Sequence, residues 1–303
     1  KFLSVWSITL MSFYVIFTSF ELVLVTIPVE SVYVRIMQVL TTCALFCSSI
    51  SVIILTIAKK NNEDNFWNIA NRAERVLGCF ADVTKFNHSM GLKIWSLSII
   101  FISTQVTVFV AALMTGNVGV AIVTFLTFIP RIVYWLFTLK FVFYVDVLSF
   151  VLQNVHQNLG SEREITIWDL KQLSKCHTLC WRMSKCIEDI FGWGLIATTV
   201  IAVLGCLSSG YLFFAGLLKG GLFINPCMQL IVTLFRAWII TQSCQKCTNN
   251  KSLIATTIFS VNSKELHASV EGFGLQLLHQ PIIFEPKNLF VINHASLLSV
   301  KFV

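Results

Sequence analysis

Residues 36–58 read IMQVLTTCALFCSSISVIILTIA, twenty-three residues without a charged side chain. At about 1.5 Å of rise per residue, a helix of this length spans roughly 35 Å, slightly more than the ~30 Å hydrocarbon core of a bilayer. An uncharged run of this length is typical of a transmembrane helix. The segment is therefore predicted to cross a membrane.

The whole chain has a membrane protein's composition. Of 303 residues, 56% are hydrophobic and 12% are charged, whereas charged residues make up about a quarter of a soluble domain. The uncharged run 94–130 is too long for one helix, and TGNVG at 115–119 divides it. We predict an all-α membrane protein, a seven-transmembrane helix bundle whose seventh helix begins at Leu289 and is incomplete, with only its first part present in 289–303. The six complete spans are expected at about 5–27, 36–58, 94–114, 118–141, 191–218 and 222–243.

The lysines and arginines indicate the orientation. Fifteen of them lie in the three long segments between spans, whereas the short loops contain only Arg35 and Lys219. Because positive charge is retained in the cytosol, the long segments and the N-terminus are predicted to be cytosolic. The net charge of +7 then reflects loops that face anionic lipid, and it does not call for a nucleic-acid partner.

Two of the long segments, 150–190 and 244–288, are predicted to be helical. Thr166 and Asp169 have the spacing of a capping box, which predicts a helix start. An apolar stripe at helical spacing follows in each segment. Either the two stripes pack against each other within one chain, or they form a cytosolic platform where subunits meet. Their members are Leu173, Cys176, Cys180, Met183, Ile187 and Ile190 in the first, and Leu266, Val270, Phe273 and Leu277 in the second.

No enzyme, cofactor or metal is expected. The chain has no zinc-protease, nucleophile-elbow, phosphate-loop or dinucleotide motif. Cys176 and Cys180 could complete a zinc site with Cys244 and Cys247, whose spacing is CxxC. However, Cys176 and Cys180 also belong to an apolar helical stripe, and this structural interpretation is favoured.

Polar residues in the outer halves of the spans are candidates for ligand binding. They lie among aromatic residues such as Phe109 and Phe125, and apolar walls with a few hydrogen-bonding groups are typical of small-molecule pockets. Ordinary hydrogen bonds between helices are the alternative. Charges within spans are Glu21, Arg131, Lys140 and Arg236, of which Arg131 lies near mid-depth and is expected to need a partner. The predicted ligand-binding residues are Gln105, Thr124, Ser208, Tyr211 and Gln229.

The stretch from 265 to 298, ELHASVEGFGLQLLHQPIIFEPKNLFVINHASLL, resembles the insect gustatory receptors. In that family a helix ending F-x-L-Q-L-L-H leads to G-L/F-F-x-I-N/D and then to leucines at the start of the seventh span. Asn288 replaces the family's glycine. A further motif of the family, T-Y-x-x-x-x-x-Q-F, would lie beyond Val303, so a fragment or a truncated receptor is expected. The matching residues are Phe273, Leu275, Gln276, Leu277, Leu278, His279, Leu289, Phe290, Ile292, Asn293, Leu297 and Leu298.

The resemblance implies one transmembrane chemoreceptor domain over 1–303. It also implies a subunit of a ligand-gated, non-selective cation channel in the plasma membrane that detects small-molecule tastants. Members of the family are similar to insect odorant receptors: homo- or hetero-tetramers of receptor subunits with a cytosolic anchor and an outward-facing ligand pocket. Two alternatives remain, a seven-helix G-protein-coupled chemosensory receptor and a solute transporter. The charge asymmetry disfavours the former, and the number of spans disfavours the latter.

Overall fold

The computed structural model describes residues 32–78, 83–114, 118–159, 166–219, 224–260 and 266–292. Within these ranges the regular structure is entirely helical, which confirms the predicted fold class. The first predicted span, Glu21 and the residues after 292 lie outside the described ranges. The helices are α1 (Val32–Ala58), α2 (Lys60–Leu77), α3 (Val83–Met114), α4 (Val118–Leu159), α5 (Ile167–Lys219), α6 (Ile224–Ser260) and α7 (His267–His279), and a 3₁₀ turn covers Pro286–Asn288.

Within the described ranges, four helices are long and apolar enough to cross a membrane. The spans predicted from the sequence are shorter than these helices. The predicted spans were bounded by charges, whereas a helix continues past a charge when its backbone hydrogen bonds are satisfied. Pro130 lies inside α4 without ending it. The membrane-crossing candidates are Val83–Met114, Thr127–Leu159, Ile167–Tyr211 and Cys227–Phe259.

The chain divides into two compact units. Unit 1 comprises Lys1–Ala58, Lys93–Leu139 and Gly194–Trp238, and unit 2 comprises Lys59–Leu92, Lys140–Trp193 and Ile239–Val303. Helices α3 to α6 contribute residues to both units. Each unit is described by itself below.

In unit 1, α3 and α4 form an antiparallel pair. Three contacts link them in sequence: Phe109 to Phe125 with ring centroids 6.2 Å apart, Gln105 to Arg131 through a hydrogen bond, and Phe101 stacked on Trp135 at 4.8 Å. Residue numbers fall along α3 as they rise along α4, so the two helices run in opposite directions. A polar pair thus lies between two aromatic pairs.

Helix α5 approaches α4 closely at Gly194. A Cβ atom on Gly194 would lie 2.3 Å from Cζ of Phe137, a distance that real Cβ atoms do not adopt. The Phe137 side chain is itself buried, so the ring has little room to move. Glycine is therefore required here because of the packing distance between the two helices.

Unit 2 has a core of apolar residues on amphipathic helices. The capping box is confirmed: the N–H of Asp169 donates to Oγ1 of Thr166 at 3.2 Å, and the N–H of Thr166 donates to Oδ2 of Asp169 at 3.0 Å. Every member of the first stripe is buried. Phe66 on α2 is fully buried against the ring of Tyr144, with centroids 4.6 Å apart.

The two predicted stripes pack within the chain. Phe273 of α7 contacts the ring of His177 on α5, with centroids 6.0 Å apart, and Leu277 is buried beside it. Gln276 joins the same helices: its Nε2 donates to the carbonyl of Ser174 at 2.9 Å and to Oγ1 of Thr178 at 2.8 Å, while its Oε1 accepts from the Ser174 hydroxyl. Of the two interpretations of the stripes, intrachain packing accounts for their burial.

No helix begins at Leu289, contrary to the prediction that the seventh span starts there. Lys287 and Asn288 adopt left-handed backbone conformations, with φ of 50° and 59°, which ends the short turn after Pro286. Beyond this point the N–H of Ile292 donates to the carbonyl of Phe284 at 2.9 Å, so residues 289–292 form a non-helical return. Asparagine is among the few residues other than glycine that tolerate this conformation, which explains Asn288 in place of the family's glycine.

We predict that Gly194→Ala destabilises the protein. The added methyl group must displace the buried Phe137 ring, and overpacking of this kind costs about 1–3 kcal/mol. The matched control is Gly210→Ala on the same helix, where a Cβ would meet no atom within 4 Å. Thermal unfolding of the purified protein in detergent should show a lower midpoint for Gly194→Ala and an unchanged or higher one for Gly210→Ala. Equal midpoints would contradict the close approach.

We also predict that Gln276→Leu destabilises unit 2. The leucine leaves the polar groups of Ser174 and Thr178 without their partner, which costs about 1–3 kcal/mol where these groups are shielded from water. His279→Leu, in the same motif but on an exposed side chain, should change stability by less than about 0.5 kcal/mol. The same unfolding measurement distinguishes them, and a neutral Gln276→Leu would show that these hydrogen bonds do not hold α7 in place.

Candidate functional site

The polar pair between α3 and α4 is the centre of the candidate ligand-binding site. Nη1 of Arg131 donates to Oε1 of Gln105 at 3.3 Å. The side chain of Gln105 is buried, with only 5% of its surface exposed. A charged residue within a span is costly and is a functional candidate by default. Gln105, one of the predicted ligand-binding residues, is therefore also the partner that was expected for Arg131.

A second arginine approaches this pair from α6. The guanidinium of Arg236 lies 5.7 Å from the centroid of the Tyr134 ring, within the range of a cation–π contact. Its Nε is buried and has no hydrogen-bond partner among the described residues. Arg236 is also within electrostatic range of Arg131. The charge within the span could be predicted from the sequence, whereas the aromatic face beneath it could not, because that contact depends on how two helices pack.

Aromatic rings enclose the polar pair on both sides along the helices. Phe101 and Trp135 lie nearly parallel, with an angle of 6° between their planes, one turn from Gln105 and Arg131. Phe109 and Phe125 contact each other on the opposite side of the pair, four residues from Gln105 and six from Arg131. A few hydrogen-bonding groups between apolar and aromatic walls are the composition that small-molecule sites share. Such an arrangement can orient a ligand that has a hydroxyl, carbonyl or carboxylate group.

The other four predicted ligand-binding residues also belong to unit 1. Ser208 is buried, and its hydroxyl donates to the carbonyl of Gly205 at 3.2 Å. Thr124 and Gln229 are half-buried, and their carbonyls accept from the hydroxyls of residues farther along their own helices. Tyr211 is 49% exposed. The structure pairs Gln105 with Arg131, whereas the grouping of the other four into one pocket stays a prediction.

The remaining charge within a described span has a structural partner. Nζ of Lys140 forms an ion pair with the carboxylate of Glu63 in unit 2. Lys140 is the residue at which α4 enters unit 2. The structure supplies a carboxylate on α2 as the partner of this ammonium group. This contact ties α2 to α4 and has no evident role in ligand binding.

The four cysteines considered for a zinc site, and the motif that resembles the insect gustatory receptors, lie in unit 2 and outside the candidate site in unit 1. The thiols of Cys176, Cys180, Cys244 and Cys247 are free and buried. Within the described ranges, no group of three or more histidine, cysteine or acidic side chains could hold a metal ion. The motif residues Phe273, Gln276 and Leu277 hold α7 against α5, as described above. His279 and Leu289 are exposed, Phe290 is half-buried, Ile292 is buried, and Asn293, Leu297 and Leu298 lie outside the described residues.

Comparison with known proteins identifies relatives of the whole chain. The 7tm Chemosensory receptor family model matches residues 1–302. Among solved structures, the insect olfactory receptor OR5 from Machilis hrabei is similar, with a TM-score of 0.65 and 10% sequence identity over 95% of this chain and 84% of that chain. Its complex with eugenol has a TM-score of 0.63 and 9% identity at the same coverage. The comparison with curated proteins found no match. At such identities the structural likeness shows a shared fold.

Proposed function

Because the chain belongs to the 7tm chemosensory receptor family, we propose that it is a gustatory receptor, a subunit of a ligand-gated, non-selective cation channel that detects small-molecule tastants. The gustatory assignment is supported by the motif around Gln276, which resembles that of the insect gustatory receptors. The fold shared with OR5 supports a receptor architecture of the odorant-receptor type. Catalysis has no part in this proposal.

The observation that carries the proposal is the Gln105–Arg131 pair between its aromatic neighbours. The pair offers both donors and an acceptor in an apolar setting, where a hydrogen bond to a ligand competes with little water. The structure of OR5 in complex with eugenol supports the expectation that a receptor of this fold accepts a small phenol-sized molecule. We expect the ligand to contact Gln105, with Thr124, Ser208, Tyr211 and Gln229 as further polar contacts.

Gating follows from a difference in affinity between two conformations. A ligand that forms hydrogen bonds with both Gln105 and Arg131 would change the contact between α3 and α4 at this position. Ligand binding can then bias the channel only by the difference between its affinities for the open and closed states. The pair is thus both the recognition element and the contact whose change is transmitted along the two helices.

The protein is proposed to act as a homo- or hetero-tetramer with other gustatory receptor subunits in the plasma membrane, with its N-terminus in the cytosol. The stripe residues of α7 are used within the chain, so a subunit contact requires another face of this helix. Leu275 and Leu278 are 52% and 73% exposed on α7. Large apolar side chains exposed outside the spans are typical of a protein interface.

We predict that Gln105→Leu abolishes ligand-induced stabilisation. The probes are a panel of sugars, bitter alkaloids and phenols that includes eugenol, each added to the purified chain in detergent. A ligand at one hundred times its Kd stabilises the folded state by about 2.7 kcal/mol, which raises the thermal midpoint. Leucine keeps the volume of Gln105 and removes its hydrogen-bonding groups, so a compound that stabilises the wild type should not stabilise this variant.

The matched control for this prediction is Thr107→Val on the same helix. Thr107 is exposed and its hydroxyl bonds to the carbonyl of Ser103 in its own helix. The control should keep the full stabilisation by any compound that acts on the wild type. If Gln105→Leu also keeps it, the ligand binds elsewhere and the proposed site is wrong.

The side of the membrane on which the N-terminus lies distinguishes the proposed channel subunit from a G-protein-coupled receptor. Glycosylation of inserted sequons reports which loops face the lumen. The sequons at Asn87 and Asn250 lie within α3 and α6, and the Asn250 amide is held by Ser149 at 2.9 Å. A flexible insertion with a new sequon should therefore be placed between residues 160 and 165. We predict that it gains no glycan in microsomes, because this segment is cytosolic.

The same insertion between residues 220 and 223 is the matched control. This position is predicted to face the lumen, so the insertion should gain a glycan that a glycosidase removes. The reverse pattern would exclude a cytosolic N-terminus and favour the inverted topology of G-protein-coupled receptors.

A further inference from the structure

A basic cavity lies within unit 2, between α2 and α5. Its volume is about 440 Å³, within the range of about 300–1,000 Å³ that is usual for small-molecule sites. Four cationic side chains line it: Arg72 and Arg75 from α2, and Arg182 and Lys185 from α5. No acidic residue is among those that line it. The cavity is thus distinct from the candidate site in unit 1. Cationic side chains dominate its lining, whereas aromatic side chains flank the single polar pair of unit 1.

The two helices present these side chains because of their spacing. On α2, Asn68, Arg72 and Arg75 follow one another at steps of four and three residues, which places them on one helical face. On α5, Arg182 and Lys185 have the same relation. A hydrogen bond from Nδ2 of Asn65 to Sγ of Cys186, 3.6 Å long, joins the two faces at one end of the cavity.

Most of the positive charge is not neutralised by the protein. Nζ of Lys185 lies 2.7 Å from a carboxylate oxygen of Glu188, whose other oxygen accepts the N–H of Glu285. Among the described residues, Arg72, Arg75 and Arg182 form no ion pair, and Nε of Arg75 donates only to the carbonyl of Asn71. All three arginines are exposed, so their guanidinium groups are accessible to an anion from solution.

We propose that this cavity binds a compact anion with two or more phosphate groups, of the inositol phosphate class. The planar guanidinium group matches phosphate oxygens with two parallel hydrogen bonds, and arginines are enriched where phosphates are recognised. Asn65 and Asn68 add neutral donors and acceptors suited to ring hydroxyls. Trp181, which lines the same cavity, offers an aromatic face to the ring. A single carboxylate or chloride ion would leave most of these groups unused.

Either a phosphoinositide lipid or a soluble inositol phosphate could supply this group. Lys185 precedes Ile190, where the uncharged part of α5 begins, by only roughly 8 Å along the helix at 1.5 Å per residue. This is near enough to a bilayer surface for a lipid headgroup to reach, and basic pockets at the cytosolic ends of spans bind such headgroups. Either molecule can reach the cavity in a cell only if unit 2 faces the cytosol, as proposed above. Binding to the purified chain does not depend on this orientation.

The first arm of the test uses soluble probes with the purified full chain in a neutral detergent. Inositol trisphosphate and inositol hexakisphosphate are titrated by calorimetry, with inositol itself as the uncharged comparison. We expect binding that strengthens with the number of phosphates and is absent for inositol. In the double variant Arg72→Gln/Arg182→Gln the affinity should fall by at least ~10-fold, because two charge-assisted contacts are lost.

The second arm uses nanodiscs of phosphatidylcholine that contain either a bisphosphorylated phosphoinositide or enough phosphatidylserine to match its charge. The readout is the thermal midpoint of the embedded chain. A rise with the phosphoinositide alone, together with weak binding of the soluble probes, assigns the site to the lipid. A rise that phosphatidylserine reproduces would show general attraction to negative charge and would overturn the proposal.

Two control variants keep the result interpretable. Lys60→Gln/Lys175→Gln removes two exposed cations from the same helices but outside the cavity, and it should bind as the wild type does. Arg72→Lys/Arg182→Lys retains the positive charges but loses the planar guanidinium groups that make two parallel hydrogen bonds. This variant should bind with intermediate affinity. If both glutamine variants weaken binding equally, no specific site exists. Failure here leaves the Gln105 and glycosylation experiments untouched, because they report on other parts of the chain.

Discussion

The absence of water inside a bilayer is the constraint on which the structure depends. Every backbone polar group in the hydrocarbon core must be bonded within the protein, so the chain crosses it as helices. The same constraint acts on side chains: a buried guanidinium needs a partner of its own. Arg131 donates a hydrogen bond to Gln105 on the neighbouring helix, and the guanidinium of Arg236 lies over the ring of Tyr134. The polar pair is possible only where two helices already lie side by side, which the aromatic contacts on either side of it provide.

The same continuous helices contribute to both units, but their apolar side chains are treated differently in each. In unit 1, apolar side chains such as Ile99, Ile102 and Val106 remain exposed on α3, and lipid is a suitable solvent for them. In unit 2 the stripe of α5 must be covered by the chain itself, and α7 supplies the cover through Phe273 and Leu277. Charges differ as well. The described cations of unit 2 include the four that surround the basic cavity, whereas Arg131 and Arg236 of unit 1 each contact a polar or aromatic partner.

Local signals predicted local structure well. The capping box at Thr166 and Asp169 depends on neighbours three residues apart, and the stripe of α5 depends on helical periodicity, so both could be read from the sequence. The partner of Arg131 could not, because it depends on the register between two helices. The basic cavity was missed for the same reason: its arginines come from segments more than a hundred residues apart in the chain. The helix predicted at Leu289 was wrong, because hydropathy does not report the left-handed backbone of Lys287 and Asn288.

The motif that resembles the insect gustatory receptors has a structural role in the described residues. Gln276 bonds to α5, Phe273 and Leu277 fill the space between α5 and α7, and Asn288 allows the chain to turn back. None of these contacts lies in unit 1, where the proposed ligand-binding residues are found. A motif that serves packing can persist while the ligand changes, because the ligand is recognised by side chains elsewhere. Under the proposed function, ligand specificity therefore depends on the neighbours of the Gln105–Arg131 pair, which the motif does not include.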